Sequence, residues 1–361
     1  MLFIARLALV LLAALPFALG GCAGLVVRGT LPEGARVVSL GPSDEGTPFA
    51  LDPSGKRLAV VRGHLAIVEL STGAETRVRG RPLALAWSPD GARLAASFPA
   101  AEGSTLELLD ARGAVLASAP VRGQLTSLAW ASPAEVLGAT VHLQNFSFGA
   151  GREETLVRWS GEGAPRLELL GATTLMRATL QRHGALLGRA PVLAIAPQGD
   201  VVAYTRIHDP PRFSPFVAIE VRHLDGTTAR EVGRTSLGAA SPAWAPDGDS
   251  LWFSGGAGLV RQACWETREL GGLATPGRTL AVSPRGTWVF ADGRVLRGAE
   301  EVVAFAPDAE GAFTAAGLVL RTKGALVLLD SFAESPAPPV AEPERARVLE
   351  LRKSRASSAA R

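Results

Sequence analysis

A short corner motif recurs along this 361-residue chain and limits what it can fold into. Five segments carry an apolar run, then Pro-x-Gly, then a second apolar run. They extend from Phe49 to Val61 around Pro53 and Gly55, from Leu85 to Ala95 around Pro89 and Gly91, and from Leu193 to Tyr204 around Pro197 and Gly199. The last two extend from Pro242 to Phe253 around Pro246 and Gly248, and from Leu280 to Phe290 around Pro284 and Gly286. A degenerate copy, Leu128 to Leu137 around Pro133, lies between the second and third. Proline presets φ for the first central position of a turn, and glycine two residues later takes the left-handed conformation without a Cβ clash. Each copy therefore predicts a hairpin.

Further strands follow each hairpin, as in Thr105 to Asp110 with its turn at Gly113, and in Val217 to Leu224 with its turn at Asp225 and Gly226. That makes about four short strands per unit. The anchor prolines step by 36, 44, 64, 49 and 38 residues. Four strands repeated at this period are the pattern of propeller blades. The run from Gly311 to Asp330 offers three more strands, after Glu301 to Phe305 has closed the sixth unit. A seventh blade would be completed by the N-terminal strand from Ala35 to Leu40, pairing the chain ends and removing open edges. The fold class is all-β, a propeller over residues 35–332 with seven blades favoured and six as the alternative.

The run Trp87-Ser88-Pro89-Asp90-Gly91, continuing through Leu108, Asp110 and Gly113, resembles the WD40-like repeat of TolB-type propellers, and the copy around Trp244 is similar. The resemblance covers roughly residues 35–332. The chain departs from it at Ser54, Gln198 and Arg285, which replace the aspartate, and at Leu51, Ile195 and Val282, which replace the tryptophan. TolB itself has an α/β domain before its propeller, to which nothing here corresponds. The resemblance implies binding to other proteins of the cell envelope.

The N-terminus carries an address. One cation, Arg6, precedes an apolar run from Leu7 to Leu19, which Pro16 interrupts and which is too short to span a bilayer. Residues 1–21 thus form a signal peptide, and 22–34 a tether. Leu19-Gly20-Gly21-Cys22 resembles a bacterial lipobox. In that family the Cys thiol receives a diacylglycerol and the new N-terminus an acyl chain such as palmitate. These are the only cofactor-like groups expected. The alternative is a secreted protein in which Cys22 is incidental. Resemblance to Gram-negative lipoproteins, with Ala23 in place of aspartate, implies the outer membrane, facing the periplasm. Cys264, the one other cysteine, reads as a small buried hydrophobe.

Charge excludes a broad nucleic-acid surface. The formal total of +3 resides in Arg6 and in residues 333–361, while 22–332 sum to zero. Residues 333–361 read as a Pro/Ala/Glu linker and a basic tail suited to an anionic lipid surface, or as a solvated end.

No Gly-x-Ser-x-Gly, His-Glu-x-x-His, phosphate loop or Gly-x-Gly-x-x-Gly occurs, and the five histidines lack metal-ligand spacing. No catalytic, cofactor-binding or metal-ligating residue is assigned, and the expectation is a binding or scaffolding module that is not an enzyme. The alternative is a propeller hydrolase or lyase acting on an envelope polysaccharide or peptide. The candidate partner-binding loop is the stiff Pro- and aromatic-rich stretch holding His208, Arg212, Phe213 and Phe216. The stretch from Val141 to Phe148 reads either as a strand and turn or as an apolar loop offered to a partner. Metabolic labelling with a palmitate analogue is expected to mark the natural chain and not Cys22→Ala; equal labelling of both would remove the anchor.

Overall fold

Each Pro-x-Gly corner is a tight turn between two antiparallel strands. The computed structural model describes residues 27–29, 31–147, 149–177, 179, 181, 191–210, 215–226, 229–235, 242–254, 258–265, 269–273 and 280–334. In all five corners the glycine N–H donates to the carbonyl of the residue before proline, at 2.8 to 2.9 Å. The glycines sit at φ of 66 to 76°, where a Cβ would be strained.

The corners head a series of seven antiparallel sheets arranged as the blades of a propeller. Blade 1 is Phe49–Leu51, Arg57–Val61, Leu65–Glu69 and Glu75–Arg77. Blade 2 is Ala84–Trp87, Arg93–Ala100, Gly103–Asp110 and Val115–Arg122. Blade 3 is Gln124–Ser132, Glu135–Phe146, Gly149–Trp159 and Arg166–Met176. Blade 4 is Leu193–Ile195, Val201–His208, Phe216–His223 and Ala229–Thr235. Blade 5 is Ala243–Trp244, Ser250–Ser254, Leu259–Ala263 and Glu269–Leu273. Blade 6 is Leu280–Val282, Val289–Ala291, Arg294–Arg297 and Glu300–Ala304.

Blade 7 takes Glu310–Thr314, Gly317–Thr322 and Ala325–Leu329 from the C-terminal part and its outer strand, Val37–Pro42, from the N-terminal part. Seven blades, not six, follow from that shared strand. Arg36 fixes the junction, donating from its backbone and from Nε to the two carboxylate oxygens of Asp330, each at 2.8 Å. Arg28–Gly29 adds a fifth strand to blade 6, so two residues of the expected tether belong to a sheet.

Seven apolar clusters lie in the seams between neighbouring blades, and the seventh joins blade 7 to blade 1 and closes the ring. Alternation along a strand does this. In Arg57–Val61, Leu58 and Val60 face the seam with blade 7, while Ala59 faces blade 2. Both sheet faces are thus dry, which is why the strands read as continuous apolar runs. Full burial of a leucine such as Leu58 or Leu94 stabilises by about 1.5–3 kcal/mol. Cys264 is buried in the seam between blades 4 and 5.

The repeated tryptophan clips adjacent blades together. The indole N–H of Trp87 donates to the Ala50 carbonyl at 3.1 Å, that of Trp130 to Ala86 at 2.9 Å, and that of Trp244 to Ala194 at 2.9 Å. Each acceptor lies on the innermost strand of the preceding blade, whose channel-side edge has no further strand to pair with. Leu51, Ile195 and Val282 occupy the equivalent positions of blades 1, 4 and 6 and cannot donate. Trp87→Phe keeps an aromatic group but removes the indole N–H and part of the buried ring, leaving the Ala50 carbonyl without this donor; chemical denaturation is expected to show a loss of roughly 1–3 kcal/mol.

Candidate functional site

Blade 3 is taller than its neighbours. Its second strand, Glu135–Phe146, has 12 residues, against 8 in blades 2 and 4 and 5 in blade 1. All these strands start at the corner face, so the extra length emerges on the opposite face. Four more residues at about 3.3 Å each add roughly 13 Å to its length, and its last residues pass beyond blades 2 and 4. The inner strand stops pairing at Val141, so beyond it only three strands continue, with His142 opposite Glu153 and Glu153 opposite Ala172. The result is a three-stranded tongue. Leu143 and Phe146 on it remain 36% and 42% exposed.

A depression flanks the tongue on each side. Toward blade 2, a volume of about 910 Å³ is bordered by Glu102, Arg122, His142 and Leu143. Arg122 Nη2 lies 2.9 Å from His142 Nε2. Toward blade 4, about 410 Å³ is bordered by Thr173, Arg206, His208 and Phe216. A third hollow of about 300 Å³, against Gln144, Phe146 and Glu153, connects the two through shared residues.

A chain of charges is built into the base of the tongue. Arg152 and Glu154, two apart on one strand and both buried, pair at 2.8 Å. Glu154 also accepts from the Ile207 N–H of blade 4 at 3.4 Å, and its other oxygen lies 3.8 Å from Arg206 Nε. Arg206 Nη1 reaches Glu220 at 3.3 Å, His208 Nε2 lies 3.6 Å from the same carboxylate, and the Tyr204 hydroxyl donates to it at 2.8 Å. Desolvation raises the Glu154 carboxyl above its ordinary value, although Arg152 opposes it by charge and hydrogen bond. Burial first, and then Glu220, push the Tyr204 hydroxyl far up, so it stays a donor. Gly171 makes room for the network, because a Cβ there would collide with the Arg206 guanidinium.

His208 and Phe216 are cross-strand partners at the ends of their strands, with rings stacked 5.1 Å apart. The Arg234 guanidinium covers Phe216 at 4.6 Å. Phe216 is therefore a packed support at the wall of a depression rather than a displayed side chain. Arg212, Phe213, Cys22, the leader and residues 335–361 lie outside the described residues. The stretch from Val141 combines the two expected readings, since it is a strand through Phe146 and it displays Leu143 and Phe146. Sequence reasoning missed the network. Its signal was charge inside strands buried on both faces, at Arg152, Glu154, Arg206 and Glu220. Among the described residues, no group of three or more His, Cys, Asp or Glu is placed to hold a metal ion.

No protein-family model matches the sequence, and no curated protein matches it. Among solved structures the chain is similar to hydrazine synthase of Kuenenia stuttgartiensis, with a TM-score of 0.45 and 14% identity over 71% of this chain and 76% of that one. It is also similar to the dihydro-heme d1 dehydrogenase NirN in complex with DHE, with a TM-score of 0.50 and 15% identity. That match covers 83% of this chain and 66% of the other, just under two thirds of its length. At 15% identity the likeness to the second structure shows the propeller fold and transfers no residue role. It does correct one expectation. The missing catalytic motifs were read as marking a chain that is not an enzyme, yet a protein named as a dehydrogenase shares this fold over most of the chain. Missing short motifs in an all-β ring therefore do not exclude catalysis, because a propeller can assemble a site from residues far apart in sequence.

The ion network predicts a coupled mutational response. Glu154→Gln removes the carboxylate charge that faces buried Arg152 and is expected to destabilise by about 3–5 kcal/mol. Arg152→Met with Glu154→Leu removes both charges and is expected to cost less than the sum of the two single changes in urea unfolding.

Proposed function

We propose that this chain is a lipid-anchored, TolB-like propeller of the bacterial envelope that binds another envelope protein along the tongue of blade 3. The lipobox at Leu19 to Cys22 supports the anchor, and the resemblance to Gram-negative lipoproteins supports the outer membrane, facing the periplasm. The observation that carries the binding role is the tongue itself. It holds Leu143 and Phe146 in water between two depressions, on a base fixed by buried charge pairs. Apolar side chains displayed on a rigid support lose little entropy when a partner covers them. Arg122, His142, Arg206 and His208 border the hollows with groups that orient polar atoms of a partner.

A photo-crosslinking residue placed at Phe146 is expected to capture a defined partner in intact cells. The same residue at Arg112, on an exposed loop of the corner face, is expected not to. Leu143→Ser with Phe146→Ser should weaken binding of that partner tenfold or more, equivalent to about 1.4 kcal/mol or greater. No adduct at Phe146, or equal adducts at both positions, would count against the tongue.

A further inference from the structure

We infer that the outer edge of blade 3 pairs with the same edge of a second copy of this chain, about a two-fold axis at Leu167. The strand concerned, Arg166–Met176, has 11 residues and is the longest outer strand among the described residues. Its outer side has no strand to pair with there. A long edge without proline and with exposed apolar side chains is a template for another strand. Leu167 and Leu169 on it are 55% and 58% exposed, and Val115 and Leu116 on the outer strand of blade 2 are 48% and 57% exposed. These four are the most exposed of the large hydrophobic residues in the described structure. Both pairs open their strands at the corner face of neighbouring blades. Leu167 pairs with Val157, whose side chain faces blade 2. The turn leading into the strand packs against the same blade, where a Cβ on Gly161 would meet Leu108 at 2.8 Å and Ala117 at 3.9 Å.

Charge and apolar pattern at this edge select a second copy. Pro165-Arg166-Leu167-Glu168-Leu169 is its own complement when laid antiparallel. With the axis at Leu167, that residue meets Leu167 of the second copy, Arg166 meets Glu168, and Leu169 meets Pro165. Directly opposed residues share one face of the joined sheet. One face then carries an apolar ladder of Pro165, Leu167 and Leu169 from both copies, and the other carries two Arg–Glu contacts. Moving the axis to Glu168 would set two carboxylates against each other, and moving it to Arg166 two guanidiniums, so like charges exclude the adjacent registers. The groups are available for this pairing. Arg166 is exposed and makes no ion pair among the described residues. Glu168 lies 3.4 Å from Arg158 and 3.1 Å from Arg222, and its side chain keeps 29% exposure. A carboxylate offers about four lone-pair sites, which leaves room for a third guanidinium. Pro165 has no N–H to extend the ladder at one end. At the other end a bulge turns Leu170 into the seam with blade 4. The pairing therefore ends before the strand enters the tongue.

The test uses the chain from residue 22 onward with Cys22→Ala, which leaves the fully buried Cys264 as its only thiol. Leu167→Cys and Leu169→Cys are made separately in this background and oxidised with copper phenanthroline. Opposed Cα atoms of an antiparallel pair lie about 4.5–5.5 Å apart, within the span of a disulfide. Only a residue on the axis meets itself. Leu167→Cys is therefore expected to give a disulfide-linked dimer. Leu169→Cys, whose counterpart would lie four residues along the strand at roughly 13 Å, is expected to stay monomeric on a non-reducing gel. No dimer from Leu167→Cys, or equal dimer from both, would overturn the pairing. In sedimentation velocity without oxidant, Arg166→Glu, its fold checked by circular dichroism, should weaken the dimer tenfold or more; an unchanged dimer would overturn the charge match and the register. A photo-crosslinking residue at Leu167 of the natural chain in intact cells is expected to give an adduct of twice the chain mass. An adduct to a different protein in its place would assign this edge to another partner and overturn the inference. Neither the Cys22 lipid nor the tongue enters these experiments, so their failure leaves the proposed function untouched.

Discussion

The pairing of Val37–Pro42 with Ala325–Leu329 is the constraint on which the other blades depend. A blade buries both faces, so an open ring would leave a dry face wet at each end. Closure joins residues 294 apart in sequence, as the Arg36–Asp330 contact shows. The length-dependent part of such a loop costs roughly 5 kcal/mol in chain entropy. Leu40, Leu58, Val60, Val319, Leu326 and Leu328 meet in the seam it seals, each worth about 1.5–3 kcal/mol when fully buried. Burial therefore outweighs loop entropy, and the ion pair fixes register more than it adds stability.

Two-sided burial also explains where polar groups stand. Within the wall, strand positions are filled by Leu, Val and Ala, and the Trp indoles occupy carbonyls that the inner edge would otherwise leave unpaired. A charge in such a strand persists only with a partner. Arg152 and Glu154 meet that condition with each other and with Arg206 across the seam. The arrangement couples blade 3 to blade 4 through directional contacts, which an apolar seam does not supply. It does so at the level where the tongue leaves the wall.

Much of this architecture was legible in the sequence because its determinants are local. A Pro-x-Gly corner needs only a few residues, and the alternation of Arg57–Val61 is readable in place. The seventh blade was legible because the stretch from Gly311 lacked an outer strand and the stretch from Ala35 lacked a sheet. The clip was not legible, since Trp87 donates to a carbonyl 37 residues earlier. Nor was the network, whose Glu154 and Ile207 lie 53 residues apart. The reading of catalysis erred for a related reason. It searched for adjacent residues, while this fold brings together positions from different blades.

The height of blade 3 follows from the same accounting. Once Glu135–Phe146 passes the tops of blades 2 and 4, no neighbour covers its faces, and an apolar run would be exposed on both sides. The sequence changes there from Val136, Leu137 and Ala139 to His142, Leu143, Gln144, Asn145 and Phe146. A two-stranded ribbon of that composition would be marginal in water. The third strand, Arg166–Met176, and the buried pair at the base give the tongue its support. Leu143 and Phe146 stand exposed where the backbone is held on a fixed base, and the proposed binding role draws on that arrangement.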